Sequence, residues 1–168
     1  WEVTRVLWVP GEDEPFPVST KSHAQSQRFR SDVSGEMREY MYNNPYRNWQ
    51  PHVIFMEREN GWQPVAAIGR VGFITDKWPE RGRNEVHPEG ALADIDANAT
   101  FFWNDTNADA RIQDDECQIV PARDGEPAYR LGNGWGSRVS PDLDIFVNGI
   151  RRIRPATFAD DGAPIYMP

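Results

Sequence analysis

Residues 105–116, with the sequence DTNADARIQDDE, carry oxygen-bearing groups at spacings suited to a hard cation. Side-chain or backbone oxygens fall at the first, third, fifth, seventh, ninth and twelfth positions, which are Asp105, Asn107, Asp109, Arg111, Gln113 and Glu116. Calcium takes about six to eight oxygen ligands, and a coiled loop of this length can turn such groups toward one point. The spacing therefore predicts one bound Ca²⁺, with Arg111 acting through its backbone carbonyl and Gln113 through a water molecule.

The same stretch resembles the calcium-binding loop of EF-hand proteins, in which the eighth residue is usually aliphatic and the sixth is usually Gly. Ile112 fits the eighth position, whereas Ala110 stands at the sixth. An L-residue in a left-handed conformation costs roughly 1–2 kcal/mol, so we expect weak binding, with a Kd of roughly 10⁻⁴ to 10⁻³ M. Such a site is filled outside the cell and empty in the cytosol. The alternative interpretation is a polar turn in which Asp and Asn side chains cap backbone groups.

The negative charge of the chain is concentrated around this loop. The net charge is −8, and residues 85–126 hold 11 acidic residues against Arg111 and Arg123, a net of −9. Residues 1–84 hold 11 acidic and 11 basic residues, and residues 127–168 hold 4 acidic and 5 basic residues. Neighbouring carboxylates repel one another unless water or a cation compensates. Because phosphate binding needs a basic face, this distribution argues against nucleic acid as a partner.

The composition indicates one folded domain without a membrane span. The chain has 168 residues, of which 39% are hydrophobic and 12% aromatic, enough for a core. No apolar run approaches the length of a membrane span, and the single cysteine, Cys117, cannot form an internal disulfide. The chain begins with Trp and shows no signal peptide, from which we expect a processed piece of a longer protein.

Short strands separated by turn residues predict an all-β fold that positions the loop. The strongest signal is a hairpin of HVIFMER (52–58) and WQPVAAIG (62–69) around the turn residues ENG. ATFFWN (99–104) is predicted to lead into the acidic loop, and CQIVPA (117–122) to leave it. Further predicted strands cover 3–10, 38–44, 128–132, 143–147 and 150–155, with a tight turn at Asn148-Gly149, a long loop with room for one short strand at 11–35, and a helix candidate at 90–99.

Three stretches resemble secreted bacterial β-propeller proteins of the NHL-like kind, found in planctomycetes and relatives. They are WQPVAAIGR (62–70), FFWNDTNADARIQDDECQ (101–118) and the C-terminal segment 134–168, in which an SPDL strand leads through a hairpin to G-x-P-x-Y. The resemblance implies that residues 1–168 form one β-propeller-like domain or a partial propeller of about three to four blades. It also implies that the chain belongs to a larger propeller or packs against another chain.

Other side chains have alternative interpretations. Asp94 with Asp96, and Asp142 with Asp144, would each share one face of an extended segment, and paired carboxylates serve glycoside hydrolysis; solvated turns are the alternative. His23, His52 and His87 share no ligand spacing. Cys117 is predicted to be a buried and inert thiol. The Trp residues are expected to fill a β core. The Arg residues of RRIR (151–154) are predicted to form a solvated strand face.

Together these observations predict a calcium-binding, β-propeller-like module that is secreted, periplasmic or on the cell surface. Its expected role is binding or scaffolding, toward polysaccharide or another protein chain. Two alternatives from other classes remain, a polysaccharide hydrolase or lyase and a structural subunit of a cell-surface assembly.

Overall fold

A computed structural model of the chain describes residues 5–7, 16–18, 26–43, 51–59, 61–74, 91–110, 112–129, 131, 137–147 and 151–168. These stretches consist mainly of antiparallel strands, which confirms the predicted all-β class. Their helical segments are short: α1 (Val71–Ile74) and the 3₁₀ turns Ala91–Asp94 and Asp114–Glu116. In the described part of the chain, no helix is long and apolar enough to cross a membrane.

The largest unit is a six-stranded antiparallel sheet in which each strand pairs with the next along the chain. Two short strands precede it and pair with each other, β1 (Arg5–Leu7) and β2 (Phe16–Val18). The six strands of the sheet are β3 (Ser26–Val33), β4 (Glu36–Asn43), β5 (His52–Arg58), β6 (Gly61–Arg70), β7 (Thr100–Asn104) and β8 (Cys117–Val120). Because β7 and β8 are antiparallel neighbours, the acidic loop between them connects the two strands at the same end of the sheet.

The central strands of this sheet are buried on both faces, which explains their nearly continuous apolar sequences. Successive side chains of a strand point to opposite faces, so Phe102 packs into one core while Phe101 and Trp103 pack into the other. The first core lies against the C-terminal strands and includes Tyr40, Tyr42, Ile54, Met56, Ile68, Leu143, Ile145 and Tyr166. The second core includes Val53, Phe55, Ala67, Val71, Leu92 and Ile112.

The C-terminal strands form two small sheets against the first core. Their bounds are β9 (Arg138–Val139), β10 (Ile145–Val147), β11 (Arg151–Ile153), β12 (Pro155–Phe158) and β13 (Pro164–Tyr166). The side chain of Asn104 clamps the last strand to the large sheet: its Oδ1 accepts the Tyr166 amide at 2.7 Å, and its Nδ2 donates to the Tyr166 carbonyl at 3.0 Å. Asn104 is buried, so this pair fixes the backbone immediately before the acidic loop.

The pairing of β6 with β7 gives the loop a second anchor at Val65, which is also the bulged residue of β6 in its pairing with β5. Ile54 pairs with Ala66 while Phe55 pairs with Pro64, so Val65 is the extra residue. Ala66 pairs with Asn104 of β7, so Val65 stands opposite Asp105, and the Val65 carbonyl accepts a hydrogen bond from the Asp105 amide at 2.9 Å. The first residue of the loop is thereby held to the middle of the sheet.

Most of the predicted strands are confirmed, and three predicted segments differ. The hairpin of β5 and β6 and the strands flanking the loop lie where they were predicted. The loop predicted at 11–35 is wrong over Ser26–Val33, which is an edge strand; its exposed Arg28, Arg30 and Asp32 alternate with inward residues and give it a polar sequence.

The strand predicted at 128–132 is also absent from its described residues, 128, 129 and 131. The Tyr129 ring instead packs edge-on against Phe102, at 5.3 Å between ring centroids. The helix candidate at 90–99 reduces to the 3₁₀ turn Ala91–Asp94. The pairing of β10 with β11 is confirmed, whereas the turn Asn148-Gly149 between them lies outside the described residues. The large sheet has six strands rather than the four of a propeller blade, and the propeller arrangement stays a prediction.

Candidate metal centre

Strand pairing brings the two ends of the acidic loop together. Trp103 of β7 pairs with Cys117 of β8, so Asp105 and Glu116 both stand just beyond the paired region. The loop is flanked by strands, as predicted, and it re-enters the sheet through the 3₁₀ turn Asp114–Glu116. Ile112 is buried in the second core and anchors the middle of the loop, which fits the prediction for the eighth position.

Three carboxylates of the loop converge. One oxygen from each of Asp105, Asp109 and Glu116 lies within 4.8 Å of the other two. Asp105 and Glu116 are buried, whereas Asp109 is exposed. Close carboxylates repel one another, so this cluster is a site that could hold a metal ion.

Glu116 closes the loop through four hydrogen bonds. Its Oε1 accepts the amides of Thr106 and Asn107 at 2.8 and 3.2 Å and the Thr106 hydroxyl at 3.0 Å. Its Oε2 accepts the Trp103 indole Nε1–H at 2.9 Å. A carboxylate offers roughly four lone-pair sites, so a bidentate bond to a metal would replace part of this network.

Asp105 is held by a backbone amide and by a guanidinium group. Its Oδ1 accepts the Ala110 amide at 3.0 Å, and its Oδ2 accepts Arg58 Nη1 at 2.7 Å. Burial raises the pKa of the Asp105 carboxyl, and the hydrogen bonds from Arg58 and Ala110 only partly offset that increase. A positive charge beside Asp105 therefore stabilises its ionised, carboxylate form.

The remaining predicted side-chain ligands form an exposed amide–carboxylate network. Asn107 Nδ2 donates to Asp109 Oδ2 at 3.2 Å and to Gln113 Oε1 at 2.7 Å. Gln113 Nε2 donates to Asp109 Oδ2 at 2.6 Å, and Asn107 Oδ1 accepts the Asp109 amide at 3.0 Å. These contacts bring Asn107, Asp109 and Gln113 to the same side of the loop.

The loop backbone turns through two left-handed alanines. The φ angles of Ala108 and Ala110 are 63° and 61°. The predicted turn at the sixth position is therefore kept although the residue is Ala, and the turn aims the Ala110 amide at Asp105. Each left-handed alanine costs roughly 1–2 kcal/mol, which the hydrogen bonds around the loop must offset.

Five of the six predicted ligand residues lie together in this loop, and the sixth, Arg111, lies outside the described residues. The ligand spacing of the loop does not identify three further contributors. Arg58 ends β5 and binds Asp105, Trp103 supports Glu116, and Thr106 binds Glu116 through its amide and hydroxyl. Arg58 can be identified only from the strand register, which determines which residues lie beside the loop.

The paired carboxylates considered for glycoside hydrolysis do not share an extended face. Leu143 has a φ of 62°, which interrupts the segment between exposed Asp142 and buried Asp144. The Asp144 carboxylate accepts a hydrogen bond from the Arg152 guanidinium, and Arg154 Nε lies 3.4 Å from Asp144 Oδ1. Asp94 and Asp96 are exposed in a turn, where Asp96 Oδ1 accepts the Asn98 amide at 2.8 Å.

The other candidate residues have structural roles where they are described. His52 is buried between the Tyr42 hydroxyl at 2.6 Å and the Leu131 carbonyl at 2.9 Å, while His23 and His87 lie outside the described residues. Cys117 is half-buried rather than buried, and burial raises the pKa of its thiol to about 12, so the thiol is protonated at neutral pH. Arg151, Arg152 and Arg154 are exposed around buried Ile153, as predicted.

Comparison of the chain with protein-family models, with curated proteins and with solved structures finds no match.

Proposed function

We propose that the chain is an extracytoplasmic calcium-binding module with a binding or scaffolding role toward protein or polysaccharide. The observation that carries this proposal is the convergence of Asp105, Asp109 and Glu116 within 4.8 Å. Two oxygens bound to one Ca²⁺ at about 2.3–2.6 Å lie at most about 5 Å apart, so the cluster has the right dimensions. The donor groups are carboxylate and amide oxygens, which suit a hard cation.

Calcium in this loop would rigidify the connection between β7 and β8. Asp105, Asn107, Asp109 and Glu116 would bind directly, with the Arg111 carbonyl and a water molecule held by Gln113. The left-handed Ala110 favours a weak site, which extracellular calcium would fill and cytosolic calcium would not. A secreted, periplasmic or cell-surface location would suit a site of this expected affinity.

The β-propeller-like assignment remains part of the proposal and rests on the resemblance of three sequence stretches to NHL-like proteins. The antiparallel meander of short strands is compatible with it, since propellers are built from antiparallel strands connected in order. Within a larger propeller or assembly, the calcium loop would stiffen one edge of the sheet. A rigid edge suits a scaffold or a binding surface.

The decisive experiment is calcium titration calorimetry on the wild type and on Glu116→Gln, with thermal unfolding in calcium and in chelator. At 100 times its Kd, calcium should add about 2.7 kcal/mol to the free energy of unfolding of the wild type. Asp115→Asn is the matched control, because it removes one exposed carboxylate from the same 3₁₀ turn but none from the cluster. Equal unfolding of the wild type in calcium and in chelator would leave the polar-turn interpretation.

A further inference from the structure

Arg58 links the acidic loop to the C-terminal hairpin. Its Nη1 donates to Asp105 Oδ2 at 2.7 Å and to Gln63 Oε1 at 3.1 Å, and its Nη2 donates to Asp161 Oδ2 at 2.6 Å. The side chain of Arg58 is 14% exposed and that of Asp105 is fully buried. Asp161 lies in the turn between β12 and β13 and accepts the Ala163 amide at 3.0 Å. The guanidinium group is thus fixed at a defined place beside the loop.

The charge of Arg58 has opposite consequences for the protein without metal and for metal binding. Without metal, the guanidinium compensates a buried carboxylate that would otherwise be costly. With a divalent cation on the other oxygen of Asp105, the same guanidinium is a like charge separated from the ion by a single carboxylate group. Like charges held this close in a partly buried site repel, and solvent screens them little.

We infer that Arg58 is the resident cation of the acidic loop and sets its calcium affinity by competing electrostatically with the ion. This inference rests on the proposed calcium site. Asp161 and Gln63 contribute by holding the guanidinium in place, so it does not swing away when the metal arrives. The fixed charge of Arg58 is then a second reason, besides the left-handed Ala110, to expect weak calcium binding by the loop. Binding of calcium in turn weakens the tie between Arg58 and Asp105, because coupling between two ligands of one site is reciprocal.

The test compares calcium affinity among full-length variants that differ in this one charge. Arg58→Gln removes the charge and keeps an amide donor for Asp105, and Arg58→Met is a second uncharged variant in case one of the two fails to fold. Arg58→Lys keeps the charge. Arg30→Gln is the matched control. Arg30 lies on the edge strand β3, away from the loop, and its guanidinium binds Glu39 of β4. Calorimetric titration with CaCl₂ at constant ionic strength gives the Kd of each variant.

We expect the uncharged variants to bind calcium about 10-fold more tightly than the wild type, and Arg58→Lys and Arg30→Gln to bind within about 2-fold of it. If the wild type binds calcium and the uncharged variants bind it no more tightly, the inference is wrong and the calcium site stands. If neither the wild type nor any variant binds calcium, the proposed function is wrong and the inference about Arg58 is wrong with it. Binding by the uncharged variants alone would support the role of Arg58 and remove calcium as a ligand of the native chain.

Discussion

The indole Nε1–H of Trp103 donates a hydrogen bond of 2.9 Å to Oε2 of Glu116. Trp103 is fully buried in the second core, and Glu116 is the last residue of the acidic loop. The carboxylate that accepts two backbone amides of the loop is therefore oriented by a residue of the sheet. The packing of Trp103 in the core therefore determines where the Glu116 carboxylate lies in the loop.

Replacing Trp103 with Phe should test how strongly the core supports the loop. The variant keeps an aromatic ring but leaves a small cavity and a buried carboxylate oxygen without its donor. A hydrogen bond to a charged group contributes roughly 1.5–3 kcal/mol, so Trp103→Phe should lower the free energy of unfolding by about 2–4 kcal/mol once the cavity is included. Denaturant unfolding in chelator measures this loss.

Trp62→Phe is the control, since Trp62 is only partly buried and its ring lies 5.2 Å from the Arg28 guanidinium. Equal losses of stability in the two variants would contradict the role of the indole hydrogen bond.

Ala110→Gly should stabilise the protein, unlike most alanine-to-glycine substitutions. The φ of Ala110 is 61°, a conformation that glycine adopts without the steric cost of a Cβ. The expected gain is about 1 kcal/mol in the free energy of unfolding, with a calcium Kd that is unchanged or lower. Ala108→Gly, at a φ of 63°, should behave alike. Ala122 lies outside the loop and has no positive φ, so Ala122→Gly should be neutral or destabilising; a loss of stability in both loop variants would mean that the turn relaxes in solution.

The strands of the fold were predictable where one pattern dominated. The hairpin of β5 and β6 combines apolar runs with turn residues, and both signals agree with its buried, central position. The edge strand β3 was missed because its outward residues are charged, as edge strands often are. The segment AYRLG (128–132) is predicted as a short strand, yet Tyr129 packs edge-on against Phe102 without joining a ladder.

The candidate site was predictable within the loop and unpredictable around it. Ligand types recur at fixed spacing along one segment, so a local pattern identifies Asp105, Asp109 and Glu116 together. Arg58 and Asp161 are remote from the loop in sequence and reach Asp105 only through the strand register and the docking of the C-terminal hairpin. Charge compensation of this kind is a tertiary property, and no local spacing reports it.

Gly69→Ala should destabilise the sheet because the backbone approaches its neighbours closely at this position. A Cβ on Gly69 would lie 2.8 Å from Pro51 Cβ and 2.9 Å from Phe101 Cε1, both less than van der Waals contact. Overpacking of a core costs about 1–3 kcal/mol, and thermal unfolding should show this loss. Pairing the change with Phe101→Leu, which removes the nearest ring atom, should give a combined loss smaller than the sum of the single losses. Strict additivity would mean that the clash is not with the ring.

The buried pair of Tyr42 and His52 predicts a loss of stability in mild acid. The His52 ring is buried, with the Tyr42 hydroxyl 2.6 Å from Nδ1 and the Leu131 carbonyl 2.9 Å from Nε2. Burial lowers the pKa of His52 to about 4, and the hydrogen bond to Leu131 offsets only part of that decrease. In the unfolded chain the imidazole titrates near its ordinary pKa of about 6.5. Between these two values only the unfolded state takes up the proton.

It follows that the contribution of His52 to stability is complete above about pH 6.5 and is lost as the pH falls toward 4. The free energy of unfolding should decrease by about 1.4 kcal/mol per pH unit inside this window, or about 3 kcal/mol across it. Urea unfolding in chelator at pH 7.0, 6.0 and 5.0 measures the slope for the wild type and for His52→Gln. The variant should be less stable at pH 7.0 and show a slope reduced by about 1 kcal/mol per pH unit, because Gln binds no proton. Since His23 and His87 are present in both proteins, parallel slopes would show that His52 is not the group whose protonation destabilises the fold.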